Sequence, residues 1–317
     1  MTQQDRIEPS SRRRLRKLAQ IIGSGISTLL FIWLLSKQDW QTTWKHLRLF
    51  PMWIWPVCLL LVVTGMFCNA LRWYVLLRAQ QVKMPFAEVV RTVFAGAFAS
   101  NFLPSTVGGD AFRILSLLRF TSNRTLSVAS VLVDRAVNVT ATLTFLPFSW
   151  LTFGNQIFEF VFQGRGEESL LVAGIPFLEK WVNIFRSLVQ RFLKAFGNWA
   201  RQPLVLVGAF GISWISILVV YIAVWLLAHM LGIPVSLFQV MGVAAIVYLI
   251  TLLPVSFNGY GVREVIYATL YMQLGATLEQ ATTLALVTRF FMLLETLPGA
   301  LWLSQIMTFS SNSPSDP

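Results

Sequence analysis

Ten ionisable residues lie in or beside long apolar runs of this chain: the acids Glu88, Asp110, Asp134, Glu264 and Glu295, and the bases Arg91, Arg113, Arg135, Arg263 and Arg289. Charges inside hydrocarbon are costly unless paired, so this set could form a buried polar network. Helix-to-helix glue and proton coupling are both open as roles for its members. Two of the arginines close similar stretches, NFLPSTVGGDAFR at 101 to 113 and TLLPVSFNGYGVR at 251 to 263. Each stretch runs Leu-Pro, then glycine, then arginine. Proline cannot continue a helix, so the apolar segments are expected to end at Leu103 and Leu253, before Pro104 and Pro254. Backbone groups freed within a bilayer must be satisfied by protein or by water, which implies a cavity or a re-entrant loop. Gly108, Gly109, Gly259 and Gly261 permit a tight path before a helix restarts, with Arg113 and Arg263 about one turn beyond that start. A helix N-terminus beside a guanidinium suits an anion, and phospholipid headgroups are the anions that a membrane supplies. The competing reading is a structural kink with arginines snorkelling to the interface. Asp110 is expected to sit near the first helix start as a cap. Arg263 and Glu264, being sequence neighbours, do not face each other on a helix and are expected to pair elsewhere.

The elements that would position these residues are membrane helices. Hydrophobic residues make up 56% of the 317, charged residues 12%, and the mean hydropathy is +0.65, outside the ordinary globular range. Uncharged windows at 18–36, 51–71, 136–158, 203–228 and 230–262 each reach the length needed to cross a bilayer. Between them, 85 to 103 is apolar enough to enter the membrane and carries Glu88 and Arg91 on one helical face. Residues 109 to 120 form a short helical piece, and 126 to 153 a further crossing with Asp134 and Arg135 in its first third. Within 154 to 202, Trp181, Ile184, Phe185, Leu188, Phe192 and Phe196 recur at helical spacing against Arg186, Arg191 and Lys194, the pattern of an interfacial amphipathic helix.

The net charge of +11 does not point to nucleic acid, because the basic residues flank apolar spans instead of forming a stripe on a soluble domain. SRRRLRK at 11 to 17 directly precedes the first span, which places the N-terminus in the cytoplasm and the protein in the plasma (inner) membrane. The apolar stretch after it is too long for a secretory signal and no small-residue cleavage site follows, so it reads as an uncleaved first helix. Cys58 and Cys68 are the only cysteines and lie about 15 Å apart along one helix, too far to bridge. His46 and His229 have no ligand cluster beside them, so neither a metal nor a cofactor is expected. No GxSxG, P-loop or HExxH motif is present.

The second half reruns the first. A shift of 150 residues lays Leu103-Pro104 on Leu253-Pro254, Gly109 on Gly259 and Arg113 on Arg263; a shift of 154 lays Leu132-Val133-Asp134-Arg135 on Leu286-Val287-Thr288-Arg289. A repeated, interrupted membrane segment is the pattern of a transporter's binding site. The expected fold is an all-α integral membrane bundle of two halves, each with a broken or re-entrant helix at its motif. Its segments are a basic N-terminus at 1–17, a first helix and repeat at 18–153, a linker at 154–202, a second repeat at 203–307 and a disordered tail at 308–317. Whether the halves are inverted or parallel turns on whether 85 to 103 crosses fully; the inverted arrangement is preferred.

LPSTVGGDAFR, VLVDR, LPVSFNGYGVRE and ALVTR together resemble the lysylphosphatidylglycerol synthase transmembrane, or flippase-like, family, over roughly 18 to 307. In multiple peptide resistance factors a related region translocates aminoacylated phosphatidylglycerol and is fused to an aminoacyl transferase domain. No such domain is present here, so the resemblance implies the translocator and not the synthase reaction. It assigns Pro104, Gly108, Gly109 and Arg113 to a first site and Pro254, Gly259, Gly261, Arg263 and Glu264 to a second, with Asp110, Asp134, Arg135, Arg289 and Glu295 as supporting charges. Phe257-Asn258 departs from the small residues more usual in the family. The expected function is a non-enzymatic lipid translocator that moves an anionic or phosphate-bearing phospholipid, or a polyprenyl lipid, through a cavity between the halves. The alternative is a non-transporting scaffold for a lipid- or envelope-modifying enzyme. A homo-oligomer is compatible with either.

Overall fold

The computed structural model describes residues 48, 50–102, 107–162, 199, 202–252 and 261–302. Among these residues there is no strand, and the main helices are α1 (Ile54–Ala79), α2 (Phe86–Phe102), α3 (Val107–Leu117), α4 (Arg124–Leu143), α5 (Leu146–Phe162), α6 (Pro203–Met230), α7 (Leu237–Thr251), α8 (Val262–Gln273) and α9 (Leu278–Thr296). The expected first helix, the amphipathic linker helix, the basic N-terminus, the tail, and Pro104, Pro254 and Gly259 lie outside the described residues. The chain is an all-α membrane protein. Four stretches, Ile54–Ala79, Arg124–Gly154, Pro203–Met230 and Leu278–Trp302, are long and apolar enough to cross a bilayer. Large apolar side chains such as Leu60, Phe67, Leu204 and Ile215 are exposed on their outer faces, as a hydrocarbon solvent permits.

The helix ends follow local chemistry. Helix α1 stops with the N–H of Val82 donating to the carbonyl of Leu77 (3.1 Å) and that of Gln81 to Arg78 (3.0 Å); α6 stops with Ile233 donating to Ala228 and Gly232 to His229 (3.0 Å each). Both are the paired bonds of a Schellman cap, whose turn residue adopts positive φ. Gln81 takes it at 60° and Gly232 at 72°. These two turn residues are 151 apart, one more than the shift of 150 read from the motifs. Asn123 caps α4 by accepting from the N–H of Leu126, and Thr277 caps α9 by accepting from Gln280, positions that match the shift of 154.

The crossing expected at 126 to 153 falls within the apolar stretch Arg124–Gly154, which is built of two helices. Helix α4 begins at Arg124, and a turn at Thr144-Phe145 separates it from α5. Pro147 lacks the N–H that would continue the ladder to Leu143, which accounts for the break. The long apolar window at 230–262 is likewise divided: α6 ends at Met230 and α7 occupies Leu237–Thr251.

Helices α1 and α6 form the central pair. Along α1, Cys58 meets Ala223, Gly65 meets Ser216, Arg72 meets Ser213 and Ala79 meets Gln202. Numbers rise on one helix as they fall on the other, so the two run antiparallel. They approach closely at Gly65, whose carbonyl accepts from Ser216 Oγ at 2.9 Å. These two residues are themselves 151 apart. Around this pair, α2 packs on α3, α3 on α4 and α4 on α6 in the first half, while α7 packs on α8, α8 on α9 and α9 on α1 in the second.

Small residues set other approaches. A Cβ at Gly242 of α7 would lie 2.8 Å from the amide nitrogen and 2.9 Å from the Cα of Ser149 on α5. That is backbone, which cannot rotate away. Gly242→Ala is therefore expected to destabilise by about 1–3 kcal/mol, whereas Gly208→Ala, with open space around its Cβ, should be neutral or stabilise by up to about 1 kcal/mol. Thermal melting in detergent micelles reads both, and equal melting points would contradict the packing described.

Candidate functional site

A buried ionic cluster within the first half is joined through Asn138 to a cavity that residues of both halves line. Asp134 on α4 is the centre of the cluster. Its Oδ1 accepts from Arg72 Nε on α1 at 2.6 Å and its Oδ2 from Arg113 Nη2 on α3 at 2.8 Å. One carboxylate thus ties three helices, with side-chain exposures of 2% for Asp134, 6% for Arg72 and 13% for Arg113. The guanidinium of Arg113 also lies over the Trp73 ring, 4.2 Å from its centroid. Arg72 Nη1 donates further to Asn138 Oδ1 (2.7 Å) and Ser213 Oγ (3.1 Å), and Asn138 Nδ2 donates to the Tyr248 hydroxyl (2.9 Å). The chain of contacts from Arg113 therefore ends on α7.

Asp110 does not act as a helix cap. Helix α3 already begins at Val107, so Asp110 stands within its first turn, where its carboxylate pairs with Arg135 and lies 3.9 Å from Arg113. Gly108 and Gly109 are likewise helical and not part of the expected turn. Gly109 is needed for contact: a Cβ there would overlap the Gly96 carbonyl and Ser100 Oγ of α2. In the second half the glycine does serve a turn, because Gly261 has φ of 81° immediately before α8. Its N–H donates to Glu264 Oε2 at 2.7 Å, and Glu264 Oε1 lies 3.6 Å from Arg289 Nε on α9. This first-turn acid occupies one of the free amides that an incoming anion would otherwise use. Glu88 and Arg91 pair at 2.6 Å on the exposed face of α2, away from the cluster.

The cavity, of about 260 Å³, is bounded by α1, α4, α6, α7, α8 and α9. Polar groups from both halves reach it: Asn69, Asn138, Ser216, Tyr248, Arg263 and Glu295. Arg263 lies near the Tyr267 ring, 5.6 Å from its centroid. Arg263, Glu264, Tyr267, Ala285 and Thr288 also surround a smaller adjoining crevice. The two motif arginines thus differ in setting: Arg263 lines the cavity, and Arg113 is held by Asp134 outside it.

Several residues of the site carry no motif. Arg72 is the clearest, and its signal was available: an arginine embedded in a 26-residue apolar helix is by itself a mark of a buried partner. Asn138 and Tyr248 are recognisable only once α4 and α7 are packed together.

The fold and site define a helical integral membrane protein with a buried ion cluster and a polar cavity between its halves. The family described as the lysylphosphatidylglycerol synthase TM region matches residues 20–299, and this chain belongs to that family. It is also similar to a UPF0104 membrane protein of Pyrococcus horikoshii, 29% identical over 85 residues. That stretch is 26% of this chain and spans only 25% of the relative's length.

Asp134→Ala would leave two buried guanidiniums without their acid and is expected to cost about 3–5 kcal/mol of stability. Arg135→Ala, whose side chain is about a third exposed at 34%, should cost about 1 kcal/mol or less. Unfolding in detergent micelles measures the two; similar losses would contradict a central role for Asp134.

Proposed function

We propose that this protein translocates a phosphate-bearing lipid, whose headgroup passes through the cavity between the two halves. The observation that carries this reading is the cavity itself: a polar space lined by Arg263 and Glu295 inside a bundle of membrane helices. Buried ionisable groups that line a cavity in a membrane protein mark a substrate path. The guanidinium, more than the helix end, supplies the anion attraction, since Glu264 already caps the start of α8.

The two halves are read as an internal duplication of opposite orientation. Support comes from the matching caps at the ends of α1 and α6, and from the antiparallel run of these equivalent helices about Gly65 and Ser216. Inverted halves around a central site allow alternating access by rocking one half against the other. On this reading the protein is not an enzyme, and the family it belongs to is a membrane region and not a catalytic domain. The basic residues before the first span support an N-terminus on the cytoplasmic side of the plasma membrane.

A headgroup-resolved flip assay in proteoliposomes tests the reading. Wild-type protein is expected to move a phosphate-bearing lipid, and Arg263→Ala to slow it by about tenfold or more, the loss of one charge-assisted contact in a site of low dielectric. No movement of any lipid over a broad panel, together with stoichiometric copurification of a lipid- or envelope-modifying enzyme, would overturn it in favour of a scaffold.

A further inference from the structure

The acids of the candidate network are held by bases with one exception. Asp134 is shared by Arg72 and Arg113, Asp110 pairs with Arg135, Glu264 with Arg289, and Glu88 with Arg91. Glu295 on α9 has no ion pair among the described residues, and it lines the cavity. Arg263 on α8 lines the same space and is also without an ion pair there. An acid locked to a base stays ionised, whereas one that only faces a cavity gains or loses a proton as the charge of that cavity changes. Carboxyls of this kind inside membrane segments serve as proton carriers.

The charge balance of the space has two matched states. With Glu295 ionised, its carboxylate answers the Arg263 guanidinium across the cavity. With Glu295 protonated, Arg263 is the unmatched charge, and an anion settling on it restores balance. An anion together with an ionised Glu295 would leave one negative charge in excess in a low-dielectric space, which is costly. We infer that Glu295 is a proton site coupled to the anion site at Arg263: the anion enters with Glu295 protonated, and ionisation of the carboxyl expels it. This rests on the translocator reading for the anion at Arg263, and adds the ion that moves with it. The proton is taken from water on the loading side and returned to water on the release side, one for each phosphodiester charge. Loaded and empty cavities are then both neutral, and a proton gradient drives the lipid toward the less acidic side. Helix α9 packs on α8, α1, α6 and α2. The titratable groups that these helices and α7 turn to the cavity are Arg263 and Tyr267, Cys58, Tyr221 and Tyr248. Arginine keeps its charge at any working pH, and the thiol and phenols are left in place by Glu295→Gln. Helix α2 adds no charge, because its Glu88 and Arg91 pair on its exposed face.

Calorimetric binding to the full-length protein in detergent tests the inference independently of transport. The probe is dihexanoyl phosphatidylglycerol, whose phosphodiester does not titrate over the range used, about pH 6 to pH 10. Linkage fixes the sign: a ligand that favours the protonated form binds best at the acid end and loses affinity as Glu295 ionises. Wild-type affinity is expected to fall by about tenfold or more across the range, the scale of one matched charge. Where it falls, buffers of different ionisation enthalpy should show uptake of up to about one proton per lipid bound. That reading needs no variant. Glu295→Gln, nearly isosteric, should bind with the acid-end affinity at every pH and take up no proton, and Arg263→Ala should weaken binding at the acid end. Affinity independent of pH, a pH dependence that persists in Glu295→Gln, or no binding of the probe would overturn the inference. The deacylated diester glycerophosphoglycerol distinguishes the source of the anion. If it binds as tightly and with the same proton uptake, the proton site stands and the lipid reading falls. Flip measurements in proteoliposomes under a pH gradient complete the separation. Proton-linked binding without lipid movement would keep the proton site and remove the translocator, whereas movement indifferent to the gradient and to Glu295→Gln would keep the translocator and remove the coupling.

Discussion

The Asp134 carboxylate, buried between the guanidiniums of Arg72 and Arg113, is the interaction on which the arrangement depends. An ionised group cannot be left unmatched in a membrane interior, and a single acid shared by two bases fixes α1, α3 and α4 in one relation. Arg72 then extends the restraint through Asn138 to Tyr248 on α7, so the position of the second half is tied to the charges of the first. The remaining contacts close the bundle around this cluster: the antiparallel α1 and α6 at Gly65, and α5 against Gly242.

Among its described residues the second half has no such cluster, and its ion pair of Glu264 and Arg289 holds α8 to α9. Thr288 and Ala223 stand beside a cavity, and Arg263 reaches it. One half is thereby anchored by its own charges, while the other keeps an arginine available. The two motif arginines therefore differ in setting, Arg263 lining the cavity and Arg113 held by Asp134 outside it.

Much of the helical architecture was legible in the sequence because bilayer-length apolar windows and prolines are strong, local signals. Helix α2 ends at Phe102, next to the expected stop at Leu103, and α7 at Thr251, two residues before Leu253. The family was legible from the motif residues. Other features depended on packing. Glycine signals permissive backbone but not its use, so Gly108 and Gly109 were read as a turn although α3 runs through them to meet α2. Pro147 lay inside an apolar window whose length hid the turn at Thr144. Arg72 fell just beyond an uncharged window that closed at Leu71, and its acid is 62 residues away. A cavity has no sequence signal of its own; this one exists only once α1, α4, α6, α7, α8 and α9 are packed together.

The most direct test of the account places an acid where the second half lacks one. Thr288→Asp would put a carboxylate beside Arg263 at the position that Asp134 holds beside Arg113. If Arg263 is kept free for a ligand, the variant should fold and melt at or above the wild-type temperature, yet lose lipid movement in proteoliposomes down to the protein-free background. Lipid movement at the wild-type rate by correctly folded Thr288→Asp protein would contradict the account, since the ligand would then have no use for the charge that the new acid has taken.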